Sequence, residues 1–227
     1  MRQTKAHVGH KRRACHYRGF KSVVDSFVLA AAPGVVETIL NDMSCVKKDR
    51  KMKLLNLGGG TGQLTSIFEH AGFDVTNTDI EIVNQDEKNI KVDFNNVDLL
   101  PLEEHSFDIA VCEEVIEHVE NPWALLRLAR KYIKDDGLLY VTTPNIHSIR
   151  SKKCFAKTNR FKWFEEENLS YHINPLPFWE IEMIAEKGGY KLIWLKGSGD
   201  YFFSRDNGDQ RRILENNDVL IFKFLTV

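Results

Sequence analysis

The sequence has little that would anchor it in a membrane, staple it with sulfur or draw it to polyanions. No apolar run in its 227 residues reaches the roughly 18–20 needed to span a bilayer. The best candidate, at 27–36, is short and broken by Pro33-Gly34. The N-terminus is basic, but no apolar region with a small-residue cleavage site follows it, so a secretory signal is not expected. The four cysteines, Cys15, Cys45, Cys112 and Cys154, are far apart and form no CxxC pair, which speaks against a disulfide framework or a zinc cage. Neither sign of charge is in excess: 31 Lys+Arg stand against 32 Asp+Glu, for a formal net charge of -1. A general nucleic-acid or membrane-surface binder would carry a basic surplus. What remains is a cytoplasmic chain, 43% hydrophobic and 28% charged, with enough apolar residues for one sizeable core.

Charge is uneven along that chain. Residues 1–21 carry Arg2, Lys5, Lys11, Arg12, Arg13, Arg18 and Lys21 with no acid, which reads as a solvated basic arm or a grip for an anionic partner. Helical spacing of Val23, Val24, Phe27, Val28 and Ala31, and again of Val35, Val36, Ile39 and Leu40, predicts two short helices over 22–43. The arm and these helices make residues 1–50 a cap on a main domain at 51–227. Beyond 50, β-rich runs at 53–57, 74–78, 90–92, 107–112 and 138–143 alternate with helical patterns. Such alternation implies a parallel sheet covered on both faces. The helix after Asn121 is well signalled: Asn as cap, Pro122 in the first turn, Leu125, Leu128, Ala129 and Tyr132 as its buried stripe, and Gly137 as the stop. At the end, 190–195 and 219–225 read as strands with no helix between them, so they should pair antiparallel. The expected fold is α/β and doubly wound, with a mostly parallel seven-stranded sheet and an N-terminal helical cap.

The strongest local signal is Leu54-Leu55-Asn56-Leu57-Gly58-Gly59-Gly60-Thr61-Gly62, an apolar strand running into glycines ahead of a helix faced by Leu64, Ile67, Phe68 and Ala71. Glycines there let the backbone approach a ligand that a Cβ would repel. A phosphate-cradling GxxxxGK[ST] loop is excluded, because Gly58 is followed five positions on by Gln63. The dinucleotide pattern GxGxxG also meets Gln63 at its third glycine. A GxGxG turn of Gly58, Gly60 and Gly62 is what fits. Asp79 closes the second strand, where a carboxylate can accept bonds from both ribose hydroxyls. Asp93 closes the third, placed for an exocyclic adenine amine, and Cys112-Glu113 ends the fourth at the same rim.

With Asp79-Ile80, Val92-Asp93-Phe94, Ser106-Phe107-Asp108, Glu114-Val115-Ile116-Glu117-His118-Val119 and the run from Gly137 to Pro144-Asn145, the sequence resembles the class I S-adenosylmethionine-dependent methyltransferases over roughly residues 53–195. It looks most like the subgroup with an EVIEHV segment, whose members methylate small molecules, quinone precursors and sugar-containing intermediates. The resemblance implies that Gly58, Gly60 and Gly62 pass under the methionine and ribose of S-adenosylmethionine. It likewise assigns the ribose to Asp79 with Ile80 beside it, the adenine to Asp93 with Phe94, and a backbone lining role to Glu113. Two departures stand out. The family usually has Asp or Glu where this chain has Asn56, which can still orient the cofactor's amino group but lacks the charge. The stretch from Asp79 to Asp93 is also too short for the usual crossover helix.

Methyl transfer from a sulfonium asks for alignment and exclusion of water more than for strong acids or bases. A hydroxyl acceptor would gain from a base beside the methyl. His118, in the EVIEHV segment, is the first candidate, with a helix-capping histidine as the plain alternative. His172 is the second; it sits in an aromatic stretch at 150–180 (Phe155, Phe161, Trp163, Phe164, Tyr171, Phe178, Trp179) that reads as a lid or as a satellite core. Glu114, Glu117, His118 and His172 together resemble the ligand set of metal-dependent RNA 2′-O-methyltransferases, and would suit manganese or zinc better than magnesium. His147 reads as a rim residue, and His7, His10 and His16 form no constellation. The expected function is O-methylation of a small molecule or sugar-containing intermediate. The alternatives are a metal-dependent RNA methyltransferase, which the basic arm would serve, and a non-catalytic cofactor-binding module.

Overall fold

The computed structural model of the protein describes residues 32, 34–46, 50–198 and 209–227. The basic arm and the first of the two expected N-terminal helices lie outside the described residues. The second helix is α1 (Val35–Ser44), with Val35, Val36, Ile39, Leu40 and Met43 buried along one side. Then come β1 (Lys53–Leu57), α2 (Gln63–His70), β2 (Asp74–Asp79), β3 (Asn89–Lys91), β4 (Phe107–Cys112), α3 (Pro122–Tyr132) and β5 (Ile133–Pro144). The chain finishes with α4 (Ile149–Thr158), a 3-10 turn at Glu166–Asn168, α5 (Phe178–Lys187), β6 (Tyr190–Ser198), α6 (Gln210–Asn216) and β7 (Val219–Thr226). Among the described residues no helix is long and apolar enough to cross a membrane.

The seven strands form one sheet in the order β3-β2-β1-β4-β5-β7-β6. β1 runs parallel to both of its neighbours, β2 and β4, and β7 is antiparallel to β5 and β6. Because successive strand side chains point to opposite faces, β1 feeds two cores. Leu54 joins Ile39, Phe68, Ile109 and Tyr140 on the α1–α2 face. Leu55 and Leu57 join Leu125, Ala129, Ile184 and Phe222 on the α3–α5 face. Helices on both sides explain why β4 is buried at every position and is apolar at all but Asp108.

Three sequence expectations meet the structure here. β2 and β3 are joined by turns alone, as the short spacing requires. β6 and β7 do pair antiparallel, but α6 stands between them; with only Ile213 of its seven residues buried, it shows no stripe by which to be read. Gly137 is not the stop of α3. That helix, capped by Asn121 Oδ1 accepting from Ala124 N at 3.0 Å, passes straight into β5 at Ile133. Gly137 is required instead because a Cβ there would run into Ile133 and the backbone carbonyl of Lys134.

Two carboxylates tie these layers together. Asp42 of α1 accepts from Tyr140 Oη (2.6 Å), Trp194 Nε1 (3.2 Å) and Lys223 Nζ (2.6 Å), so it fastens the helix to β5, β6 and β7. At the far end of β4, Asp108 receives both terminal nitrogens of Arg50, Lys134 Nζ and the Lys53 N–H. Burial alone would raise the Asp108 carboxyl, but the Arg50 and Lys134 hydrogen bonds outweigh it and hold it at about 2 instead of 3.8. A carboxyl depressed in the folded chain stabilises above its unfolded pKa, and that contribution disappears as the pH falls through the folded value. Asp108→Asn is therefore expected to lower stability by about 2 kcal/mol at neutral pH. Urea melts of variant and wild type should converge between pH 4 and pH 2.

Candidate active site

The glycine turn stands at the carboxyl end of β1, over the N-terminus of α2. Gly58, Gly60 and Gly62 all have positive φ (76°, 54° and 96°), the region where a side chain is strained. Gly58 has a second reason to be glycine: a Cβ would collide with Val115, which follows β4. The turn is held in place from β2, where Gly58 N donates to Thr78 O (2.7 Å) and Gly60 N to Asp79 Oδ2 (2.8 Å). Asp79 Oδ1 accepts from Glu81 N at 2.7 Å, so Asp79 fixes both the turn and the loop beyond it. Next along the rim, Asp93 accepts from Asn95 N (2.9 Å) and Asn96 Nδ2 (2.6 Å), beside Phe94, which packs on the core.

A cleft of about 700 Å³ opens above this turn, a size suited to a small-molecule ligand. Its lining takes in Gly58, Gly60, Glu113, His118 and His172 of the sequence candidates. Gly62, Asp79, Ile80, Asp93 and Phe94 are not among its lining residues, and Ile80 is 56% exposed. Asn56 is sealed below: fully buried, it lies where a Gly59 Cβ would strike it, and its Nδ2 donates to Thr65 Oγ1 at 3.0 Å. Its Oδ1 has no partner. The direct contact with a cofactor amino group expected of Asn56 is therefore closed off, because the side chain turns toward α2.

Three carboxyls crowd the end of β4. Glu114 adopts φ 50°, a left-handed bend that sends the chain back over the strand ends. Thr142 Oγ1 accepts from Glu114 N and donates to Glu114 Oε1 (3.0 and 2.9 Å), while Thr143 Oγ1 donates to Glu117 Oε2 at 3.1 Å. Glu113 Oε1 and Glu117 Oε1 are buried with no hydrogen-bond partner. Burial pushes Glu113 up to about 7 and Glu117 to about 8, and it drives Glu114 well above the usual carboxylate range with help from its two acidic neighbours.

The two histidines complete the wall. His118 Nδ1 donates to the Tyr171 carbonyl (2.9 Å) and His172 Nδ1 to the Trp163 carbonyl (2.6 Å). A carbonyl only accepts, so both rings keep the proton on Nδ1 and offer Nε2 as an acceptor. Burial lowers both imidazoles below 6.5, aided at His118 by the nearness of His172, so both are neutral at pH 7. The rings meet edge to face at 4.7 Å, and the ligand atoms of Glu117, His118 and His172 all lie within 4.8 Å of one another. A carboxylate with two imidazoles, each braced by a carbonyl, is a donor set that a divalent transition metal fits. Glu114, occupied by Thr142, is not part of that cluster.

Sequence reasoning did not single out Asp218 and Val219, which also line the cleft. Asp218 is gripped by Arg150 and its carbonyl accepts from Asn145 N at 2.8 Å. The available signal was topological: an antiparallel β7 must start at the rim where its parallel neighbours end. His147 is structural as placed, its Nε2 accepting from Phe178 N at the start of α5 (3.1 Å).

A model of a methyltransferase-domain family matches residues 30–194 of the chain. Among similar proteins, a ubiquinone biosynthesis O-methyltransferase of Rickettsia bellii (strain OSU 85-389) is 32% identical over 112 residues, 46% of this chain and 45% of that protein. One from Rhodopseudomonas palustris (strain TIE-1) is 30% identical over 139 residues, 58% of this chain and 52% of that protein. The chain thus spans about half the length of these relatives. Among solved structures, a SAM-dependent methyltransferase from Archaeoglobus fulgidus superposes with a TM-score of 0.59 at 16% identity, covering 85% of this chain and 95% of that one. That likeness is one of fold.

The raised Glu117 carboxyl has a consequence for stability. A carboxyl whose folded pKa lies above its unfolded value binds a proton more tightly when folded, so stability falls as the pH rises between the two. Metal-free protein is expected to lose stability from about pH 4.5 through about pH 8. Glu117→Gln should flatten that slope in thermal melts taken across the range; an unchanged slope would show that another group sets it.

Proposed function

The chain belongs to the methyltransferase-domain family, and on that premise we propose that it transfers the methyl group of S-adenosylmethionine to a hydroxyl of a small molecule, such as a quinone-type or sugar-containing intermediate. The observation that carries this reading is the meeting of a glycine turn and two neutral imidazoles across one cleft. The relatives' names support a small hydroxylated acceptor. Among the described residues Cys45, Cys112 and Cys154 are unbridged, and we place the protein in a reducing, cytoplasmic setting.

S-adenosylmethionine supplies a methyl group already activated on a sulfonium. The chain's part is to align that methyl with the acceptor and keep water away. Gly58 and Gly60 leave backbone at the cleft floor for the methionine and ribose. Asp79 keeps lone pairs on both oxygens for ribose hydroxyls, and Asp93 with Phe94 borders the adenine. His118, which lines the cleft with its Nδ1 held by the Tyr171 carbonyl, takes the acceptor's hydroxyl proton on Nε2, and His172 stands edge-on to assist. Trp163 and Tyr171, whose carbonyls orient these rings, wall the acceptor side.

The 4.8 Å cluster favours a second reading, in which Glu117, His118 and His172 hold a divalent metal. Manganese or zinc suits the mixed donors better than magnesium, and when bound it would supply Lewis acidity that lowers the acceptor's pKa. Calorimetry with S-adenosylmethionine and S-adenosylhomocysteine tests the shared premise; no binding of either at millimolar concentration would sink both readings. Given binding, His118→Ala is expected to cut turnover by about 10²–10⁴-fold with cofactor affinity nearly intact. Metal content measured on Glu117→Ala, His118→Ala and His172→Ala separates the two roles. A ligand set loses metal and activity together in all three, whereas a base leaves metal content unaffected.

A further inference from the structure

We propose that the side-chain carboxylate of Glu113 is the counter-charge for the α-ammonium of bound S-adenosylmethionine, in place of the acid that this chain lacks at Asn56. The inference rests on the cofactor reading above and extends it to a side chain from which only a backbone contact was expected. Asn56 is neutral, fully buried and turned toward Thr65, so it presents no charge to the cleft.

Glu113 is placed to present one. Leu57 of β1 and Cys112 of β4 are partners in the sheet register, so Gly58 and Glu113 are each one residue beyond the same pair. Val115 packs onto Gly58, which brings the β4 exit against the glycine turn. Gly58, Gly59, Gly60 and Glu113 accordingly line one cleft. There Glu113 Oε1 is buried without a hydrogen-bond partner, a costly state for a carboxyl unless a donor arrives. Of its acidic neighbours, Glu114 is bonded by Thr142, and Glu117 is bonded by Thr143 at Oε2 alone and belongs to the Glu117–His118–His172 cluster, outside which Glu113 stands.

Chemistry selects which cation arrives. Among the described residues neither Lys nor Arg lines the cleft, and a cationic ligand would bring a donor with it. The sulfonium donor carries two positive groups. Its sulfur has no hydrogen to give, whereas its ammonium offers three N–H bonds. An acceptor that lacks a hydrogen-bond donor is matched by the ammonium.

Calorimetry on the full chain with three ligands tests this. S-adenosylmethionine has ammonium and sulfonium, S-adenosylhomocysteine has the ammonium alone, and 5′-methylthioadenosine has neither. Glu113→Gln is expected to weaken the first two by about 10- to 100-fold each, leave methylthioadenosine unchanged, and leave the ligand-free melting temperature equal or higher. Loss confined to S-adenosylmethionine would put the carboxylate against sulfur and overturn the proposal. Equal loss for all three, methylthioadenosine included, would make Glu113 a structural support, and no loss at all would remove it from binding; either outcome overturns the proposal. Should Glu113→Gln fail to fold, Glu113→Met removes the charge at similar length and is expected to give the same pattern. Wild-type protein that binds none of the three would overturn the cofactor reading, and this inference with it.

Discussion

Burial of three carboxyls within five residues at the end of β4 is the constraint around which the site is arranged. Glu113 and Glu114 line the cleft, half-buried, and Glu117 is fully buried; among the described residues no lysine or arginine lines that cleft. Separating such groups from solvent is unfavourable by several kcal/mol per ionised carboxylate. The folded chain meets this partly by raising their pKa values and partly with the Thr142 and Thr143 hydroxyls at the end of β5. Two oxygens are left over. A stability optimum would have removed them, so their persistence points to cations that arrive with ligands.

The same segment carries the aromatic stretch at 150–180. Ile173 and Asn174 both donate their backbone N–H to the Glu117 carbonyl at 3.0 Å, and Asn174 Nδ2 donates to the Val119 carbonyl. His118 and His172 then donate to carbonyls of Tyr171 and Trp163 in the stretch itself. The stretch is thus knitted to the β4 exit by bonds that also set both imidazole tautomers. Disturbing the loop around Tyr171 would change the protonation pattern of the histidines as well as the shape of the cleft.

How much of this could be read from residues alone depended on whether the signal was local. The runs at 53–57 and 107–112 became β1 and β4 to the residue, because apolar stretches bounded by turns leave little choice. α6 was hidden, since a helix with one buried side chain has no period to detect. Gly137 was misread because a packing glycine and a helix-stopping glycine look alike in sequence, and only the closeness of Ile133 tells them apart. The glutamates and histidines stood out by type and spacing. Their burial, their unpaired oxygens and the 4.8 Å approach of Glu117, His118 and His172 depend on contacts between segments more than 50 positions apart. Asp218 joins the site only through the antiparallel return of β7.

A further consistency concerns where the positive charge goes in the proposed reaction. As the methyl passes from sulfur to oxygen and His118 takes the hydroxyl proton, the sulfonium becomes a neutral thioether, the acceptor a neutral ether, and the charge ends on the imidazolium. Charge localised on sulfur in the reactant is dispersed in the transition state, which gains where the sulfonium is poorly solvated. A carboxylate paired with the sulfonium would undo that advantage by stabilising the reactant. Pairing Glu113 with the ammonium, a group that keeps its charge throughout, leaves the sulfonium without a counter-ion. The neutral imidazoles serve the same end on the acceptor side, taking the proton only as the new bond forms. The acidic wall is then no obstacle on the acceptor side, since burial favours the protonated form of Glu114 and Glu117, and in this proposal Glu113 is paired with the ammonium at the far end of the donor.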